Sequence, residues 1–484
     1  MQGKRDMNPA SADVSPLTDI PTWLYEFQAE DVAKLVDRKS CLLANEMGTG
    51  KTYQAIALDL MRREGVGDHA EPPITLVIAP LSTLDSVWRV KYAELAPHLK
   101  TFVINPKARG KFLLSLKNRE ADVYILHWDV LRLMPELRGV FWRHIIADEA
   151  HRAKSRKAQQ TRALKKLRGT YKTALTGTPV TNKPQDLWSL LNWLYPQEWR
   201  SYWRFYETYV DYKIEYPHGY HKLLGPKNEK MLLELIEPYY VRHLKSGACC
   251  AHHPQGVMPQ LPDKYYDKIW VDLYPKQRRA YDQMKTEMIA WLETQDGTKP
   301  LPAPVVIAQL VRLQQFAAAY MDILEDGSTT LTMPSSKVDT LLTILKDNPD
   351  EPIVVFSTFR RLIDLVEAAL DKAGLRYVKI TGDVSQRTRE SSVADFQAGR
   401  VNVFLGTIGA GGEGITLTAS STVIFLDRDW SPARNSQAED RLHRGGQENA
   451  VQVIDIMAKS TVDLGKAQKL VIKADWIRRI LGDA

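Results

Sequence analysis

Cysteine is scarce in this chain, with three among 484 residues. So few thiols cannot staple a fold together, and they fit a protein kept in a reducing cytosol. No apolar run approaches the roughly 20 residues that span a bilayer, so no membrane partner is expected. The opening stretch MQGKRDMNPASADVSP has no apolar core of the kind a signal peptide carries. No short-period repeat is visible, which excludes a solenoid. An excess of acid is also missing: 65 Lys and Arg against 58 Asp and Glu leave a formal charge of +7. That balance suits an anionic partner without identifying one.

What is present is an ordinary globular composition, 44% hydrophobic and 25% charged, with enough apolar material for more than one core. Residues 1–20 lack periodicity and read as a flexible tail. Short apolar runs then alternate with helical patterns at Cys41–Ala44, Ile74–Ala79, Val123–Leu126, His144–Ala147 and Thr173–Leu175. A second set follows at Ile353–Phe356, Tyr377–Ile380, Val401–Leu405, Thr422–Leu426 and Val451–Ile456. Runs of this kind, spaced by helices, predict two α/β units, each with a parallel sheet covered on both faces. Between them, 185–245 is rich in aromatics, among them Trp199, Tyr202, Trp203, Phe205, Tyr206, Tyr209 and Tyr212. A helical insert with an aromatic core accounts for these, with base stacking as the alternative. Tyr281, Met284, Met288, Ile289 and Leu292 form a helical packing stripe. The stretches 254–263 and 297–304 read as connectors.

The most specific local motif is Gly48-Thr49-Gly50-Lys51-Thr52, directly after the first apolar run. A strand, a Gly-rich turn and a helix opening on Lys-Thr are the context of a P-loop. Glycines let backbone N–H groups curl around phosphate oxygens, and the helix N-terminus adds positive potential. Lys51 would then reach the β- and γ-phosphates of ATP, and the Thr52 hydroxyl would bind magnesium. The strict pattern has Gly at position 45, where this chain has Asn45. The run His144–Ala147 ends in Asp148-Glu149-Ala150-His151. An acid at the carboxyl end of a neighbouring strand is where P-loop enzymes hold their metal, so Asp148 is the metal candidate and Glu149 the general base. Gln437, Arg441 and Arg444 are spaced to share one helix face, and the two arginines fit fingers supplied across a cleft.

Taken in order, the strings LYEFQ, LANEMGTGKT, VIAPLSTLDSVW, DEAHRAK, LTGTPVTN, SSKVDTL, VVFST, ITGDVSQRTRE, GAGGEGITLT and DRDWSPARNSQAEDRLHRGGQ resemble the Swi/Snf-type ATPases of helicase superfamily two. The resemblance runs from about residue 21 to the end, and QAEDRLHRGGQ leans toward the annealing-helicase branch. It implies two RecA-like lobes, each with a small helical protrusion. The first lobe would cover 21–245 with its protrusion at about 185–245, and a connector would cover 246–275. The second protrusion would cover 276–335 and the second lobe 336–484. It also implies ATP between the lobes, Gln28 on the adenine edge, and His151, Thr176, Thr178 and Gln437 coupling nucleotide state to DNA. Gly411, Gly412 and Gly414 would admit close approach of nucleotide or phosphate. Asn45 replaces the family's usual Asp, Gly445 a usual Ile, and Arg242-His243-Leu244-Lys245 stands where Arg-Arg-Thr-Lys is common. The compact size suggests a bare motor from a prokaryote or virus, acting in the cytoplasm.

Residues 152–172 hold nine Lys or Arg and no acid. Such a stripe can track a phosphate backbone, with Arg152, Lys154, Arg156 and Lys157 as the leading contacts, or it can be a solvated helix face. Cys249-Cys250-Ala251-His252-His253 resembles a metal cluster, but adjacent ligands wrap one tetrahedral zinc poorly, and an unligated loop is the expectation. The expected function is an ATP-driven motor on double-stranded DNA with little sequence preference. A strand-separating DNA or RNA helicase and a non-enzymatic DNA-binding protein of the same fold are the alternatives.

Overall fold

The computed structural model of the protein describes residues 20–63, 73–215, 220–247, 253–294, 303–323, 329–411 and 414–483. In chain order the first half supplies β1 (Ser40–Leu43), β2 (Thr75–Ala79), β3 (Thr101–Val103), β4 (Val123–His127), β5 (Phe141–Asp148) and β6 (Arg168–Leu175). A hairpin of β7 (Val210–Glu215) and β8 (Tyr220–Pro226) follows, then β9 (Tyr240–Val241). The second half supplies β10 (Lys264–Val271), a hairpin of β11 (Tyr320–Ile323) and β12 (Thr329–Thr332), then β13 (Ile353–Ser357), β14 (Tyr377–Ile380), β15 (Val403–Thr407), β16 (Thr422–Phe425) and β17 (Val451–Ala458). Among the described residues these form a seven-stranded sheet, order β3-β4-β2-β5-β6-β1-β9, and a six-stranded sheet, order β10-β17-β16-β13-β15-β14. Both are parallel throughout.

The strand runs are continuous because both faces of each sheet are buried. Successive side chains point to opposite faces. Leu42 and Ala44 enter one core while Cys41 and Leu43 enter the other. In the second sheet Ile353 and Val355 divide in the same way from Val354 and Phe356. No helix among the described residues is long and apolar enough to cross a membrane.

The structure moves several boundaries. Lys264–Val271, inside the expected connector, is β10, paired along its whole length with β17. It escapes a continuous-run reading because it is an edge strand, with Tyr265, Tyr266 and Trp270 partly in solvent. The expected second lobe also loses its last turn to the first. The helix Val462–Leu481 starts on the second lobe, where the Val462 N–H donates to Tyr281 Oη at 2.8 Å. It ends with Ile480 and Leu481 inside a first-lobe core. The aromatic insert contributes Trp199, Phe205 and Tyr209 to that same core, while Trp203 stays 57% exposed. In the helix Pro275–Thr294, Tyr281 and Met284 pack as expected. The side chains of Met288, Ile289 and Leu292, the tail 1–19, and Cys249–His252 lie outside the described residues.

Candidate active site

The P-loop joins β1 to the helix Lys51–Arg63. Gly48 and Gly50 sit at φ of +85° and +80°, a backbone region in which a side chain is strained. A Cβ on Gly50 would also lie 2.5 Å from Gln28 Nε2. The Lys51 ammonium donates to the carbonyls of Asn45 at 2.7 Å and Glu46 at 2.9 Å, within the loop's own curl. Burial pushes its pKa down to about 8, against the pull of Glu149 and Asp148. Asn45, the departure from pattern, is fully buried and braces the loop. Its Nδ2 donates to Asp31 Oδ2 at 2.7 Å, and its Oδ1 accepts from the His243 N–H at 2.9 Å. Gln28 is brought to the loop as well, where Nε2 donates to the Thr49 carbonyl at 2.8 Å and Oε1 accepts from the Tyr25 N–H at 3.1 Å. Each of those amide atoms keeps a second bonding position for a ligand.

Asp148 closes β5 beside the P-loop. The indole of Trp88 donates to its Oδ2 at 3.0 Å, and Trp128 donates to its backbone carbonyl at 2.8 Å. Burial, and then the charge of Glu149, raise its pKa above the usual carboxylate range. Glu149 itself is held at φ +49°, uncommon for a residue with a side chain. Burial opposes its charge, but the hydrogen bond from His151 and the charges of His151, Lys51 and Arg441 outweigh it and lower its pKa. The Asp148 carboxylate at the end of β5 and the Thr52 hydroxyl in the first turn of the P-loop helix are hard oxygen donors of the kind that would hold magnesium. In such a site the ion neutralises charge on the β- and γ-phosphates.

The residues expected to couple nucleotide state to DNA form one line. His151 Nδ1 lies 3.1 Å from Glu149 Oε2 and 3.2 Å from Thr176 Oγ1. Thr176 Oγ1 accepts from the Thr178 N–H at 3.1 Å, and Gln437 Nε2 of the second lobe reaches Thr178 Oγ1 at 3.5 Å.

Gln437, Arg441 and Arg444 do not share a helix face. The helix Pro432–Glu439 stops before the arginines. Asp440 caps it and accepts a buried bond from Lys245 at 2.8 Å and a second bond from Lys264 at 3.0 Å. The chain then turns toward Gly446 at φ +96°. Both arginines still arrive at the cleft, where each NH1 reaches the Ile415 carbonyl at 3.4 Å. A Cβ on Gly48 would lie 3.6 Å from Arg444 Cβ, so the finger segment abuts the P-loop. Gly414 meets the opposite lobe at another point, where a Cβ would lie 2.6 Å from Ser82 Oγ. Gly412 lies outside the described residues.

Two contacts near the cleft lie beyond the motif reading. Lys245, 1% exposed, ties the first lobe to Asp440 of the second. Arg242 donates to the carbonyls of Ala44 and Gly177 at 2.7 and 2.9 Å and pairs with Asp483 at 2.7 Å. The only sequence signal for either was the altered Arg242–Lys245 string.

The basic segment is neither a continuous stripe nor one helix face. It runs through a turn at Ala150–Ala153, a helix at Gln159–Leu164 and then β6. Several cations are used internally. Lys154 donates to Thr181 Oγ1 at 2.7 Å, Arg156 lies over the Tyr202 ring at 4.3 Å, and Lys172 donates to the Trp193 carbonyl at 2.9 Å. Arg152 is half-buried and Lys157 exposed.

A P-loop and an acidic strand end in one parallel-sheet lobe, facing arginines from a second, define a two-lobed helicase-type ATPase. The chain matches the SNF2-related domain over residues 14–317 and the helicase conserved C-terminal domain over 336–446, and it belongs to the SNF2 family. It is 29% identical to the human SWI/SNF-related matrix-associated actin-dependent regulator of chromatin subfamily A member 1, over 97% of this chain and 44% of that protein. It is 30% identical to the putative ATP-dependent helicase/translocase YwqA of Bacillus subtilis, over 87% of this chain and 44% of that protein. The chain thus spans less than half the length of these relatives. A solved Sulfolobus solfataricus SWI2/SNF2 ATPase core in complex with dsDNA aligns over 94% of this chain and 96% of that one, at 24% identity and a TM-score of 0.42.

Proposed function

We propose that the protein hydrolyses ATP, with magnesium, to move along double-stranded DNA with little sequence preference. The observation that carries this reading is the meeting of Arg444 and Gly48 across the cleft, with Lys51, Asp148 and Glu149 on the same side as Gly48. Nucleotide between these surfaces touches both lobes, so its binding and loss change how the lobes sit. Lys51 holds the phosphates, Asp148 and Thr52 hold the ion, and Glu149 orients and deprotonates the attacking water. Arg441 and Arg444 stabilise charge that develops on the transferred phosphoryl group. The line His151–Thr176–Thr178–Gln437 carries the state of the base to the interlobe surface. Duplex DNA as the track is supported by the family and by the excess of Lys and Arg, and movement along it by the name helicase/translocase of the Bacillus relative. The test is the ATPase rate with duplex, forked and single-stranded DNA and with RNA. Duplex DNA should stimulate most, and stimulation by RNA or single strands alone would overturn the choice of track.

A further inference from the structure

The first-lobe protrusion leaves one large ring in water. Trp203 lies in the first turn of the helix Tyr202–Tyr209 and is 57% exposed, whereas Phe205, Tyr206 and Tyr209 of the same helix are buried. Packing therefore explains the other aromatics of this insert and not Trp203. Its position is nevertheless fixed. It meets Tyr202 at 5.3 Å and Tyr206 at 5.9 Å between ring centroids, both edge-to-face. Tyr206 continues the row to Tyr212 at 5.1 Å, and Tyr212 stacks on the exposed His221 at 4.2 Å and 10°.

Cations border the row. The Arg156 guanidinium lies 4.3 Å over the Tyr202 ring, and Arg204, next to Trp203, is exposed, as is Lys157. Among the described residues none of these three forms a salt bridge with a carboxylate, and the acids nearby are the exposed Glu207 a turn along from Trp203, Asp186 beside Tyr202 and Glu198 in a hollow with Arg204. A rigid aromatic surface beside cations not held in salt bridges is complementary to a flat ring that travels with a negative charge, which is a nucleotide. A closed duplex hides the faces of its bases, so only unpaired bases can use the ring.

We propose that Trp203, flanked by Arg156 and Arg204, is a stacking platform for unpaired DNA bases that adjoin the duplex on which the motor works. This rests on reading the chain as a DNA motor. The platform makes a gap, bubble or overhang a preferred loading point, while the track itself remains the duplex. Tyr202 links it to Arg156, seven residues beyond Glu149, so occupancy lies close in the chain to the water-activating group.

The test compares a blunt duplex with the same duplex carrying a short oligo-dT overhang, using the full chain. Wild type should bind the overhang substrate roughly tenfold more tightly, since one base stacked on an aromatic side chain contributes ~1–3 kcal/mol. Trp203→Ala should lose that gain and keep its affinity for blunt duplex, its duplex-stimulated ATPase and its thermal midpoint, because the ring is outside the core. Trp203→Phe should restore most of the gain. A 2-aminopurine in the overhang should be quenched by wild type and less so by Trp203→Ala. If wild type responds to blunt duplex but gains nothing from the overhang, or if Trp203→Ala keeps the gain, the platform is overturned and the patch belongs to a protein partner. If wild type responds to no DNA at all, the motor reading fails first and the platform falls with it.

Discussion

The two sides of the cleft are held in different ways. On the first-lobe side, Asp148 is gripped by two buried indoles, Asn45 is bonded on three sides, and the Lys51 ammonium rests on two carbonyls at 2.7 and 2.9 Å. On the second-lobe side, Arg441 and Arg444 sit past the end of a helix and share one carbonyl at 3.4 Å, at the weak limit of a hydrogen bond. Lys51 is held within the curl of its own loop, whereas the arginine segment follows Asp440, which Lys245 ties to the first lobe. Such an arrangement makes the catalytic constellation complete only when the lobes are correctly seated, which is how hydrolysis can be made to depend on a track.

The largest expected effect tests the fixed side. Glu149→Gln should slow turnover by about 10⁴-fold, near the upper range for a general base, while a fluorescent ATP analogue binds as in wild type. Turnover within a few-fold of wild type would remove Glu149 from the role of base. Next, Arg444→Ala should lower the maximal rate about 10³-fold with ATP affinity nearly unchanged. Weak binding with an intact maximal rate would mean that both sides of the cleft are equally preorganised for the ground state, and the contrast would collapse.

A smaller effect comes from beneath the P-loop helix. His144 is fully buried between Asp59 Oδ1 at 3.0 Å and Thr173 Oγ1 at 2.8 Å, with the Arg62 guanidinium at 3.0 Å. Burial, joined by the charges of Arg62 and Arg63 and opposed by Asp59, lowers its pKa from 6.5 to about 4. The native state thus keeps it neutral while the unfolded chain protonates it. Its contribution is full above pH 6.5 and is lost as pH falls toward 4, at a slope of up to about 1.4 kcal/mol per pH unit. Thermal unfolding of His144→Gln should start lower but fall less steeply with pH across this window. His443, lowered to about 4 by burial and by Lys264 and Lys245, leaves a residual slope of the same sign. Parallel curves for the two proteins would contradict the buried, neutral assignment.

The smallest effect lies outside the cleft. Of the four leading candidates in the basic segment, Lys154 and Arg156 have partners within the protein and Arg152 is half-buried, so Lys157 is the one most open to phosphate. Lys157→Ala should reduce the log–log salt slope of duplex binding by about 0.9, one contact's worth. An unchanged slope would place the DNA path elsewhere.

The catalytic core was legible in the sequence because its signals are local. A buried parallel strand is an apolar run, and the P-loop glycines and the Asp-Glu pair lie at strand ends. What escaped depends on distance in the chain. Nothing in Arg441–Gly445 shows that the helix will stop at Glu439 or that Asp440 will meet Lys245 and Lys264, 195 and 176 residues away. Asp59, Arg62 and Arg63 carry no motif, yet they form a buried network because β5 and β6 bring His144 and Thr173 to them. The edge strand β10 mixes aromatic and charged residues, since one side of it meets water. The cations at 152–172 look uniform in sequence, and only the fold shows which of them lie over the Tyr202 and Trp188 rings.

The central claim is that ATP hydrolysis in this cleft drives motion along duplex DNA, and displacement of a triplex-forming third strand tests it most directly. Wild type with ATP should release the third strand while leaving a simple forked duplex annealed, and Glu149→Gln should bind the same DNA and release nothing. Efficient separation of the fork with the triplex left intact would contradict the account and identify a strand-separating helicase instead.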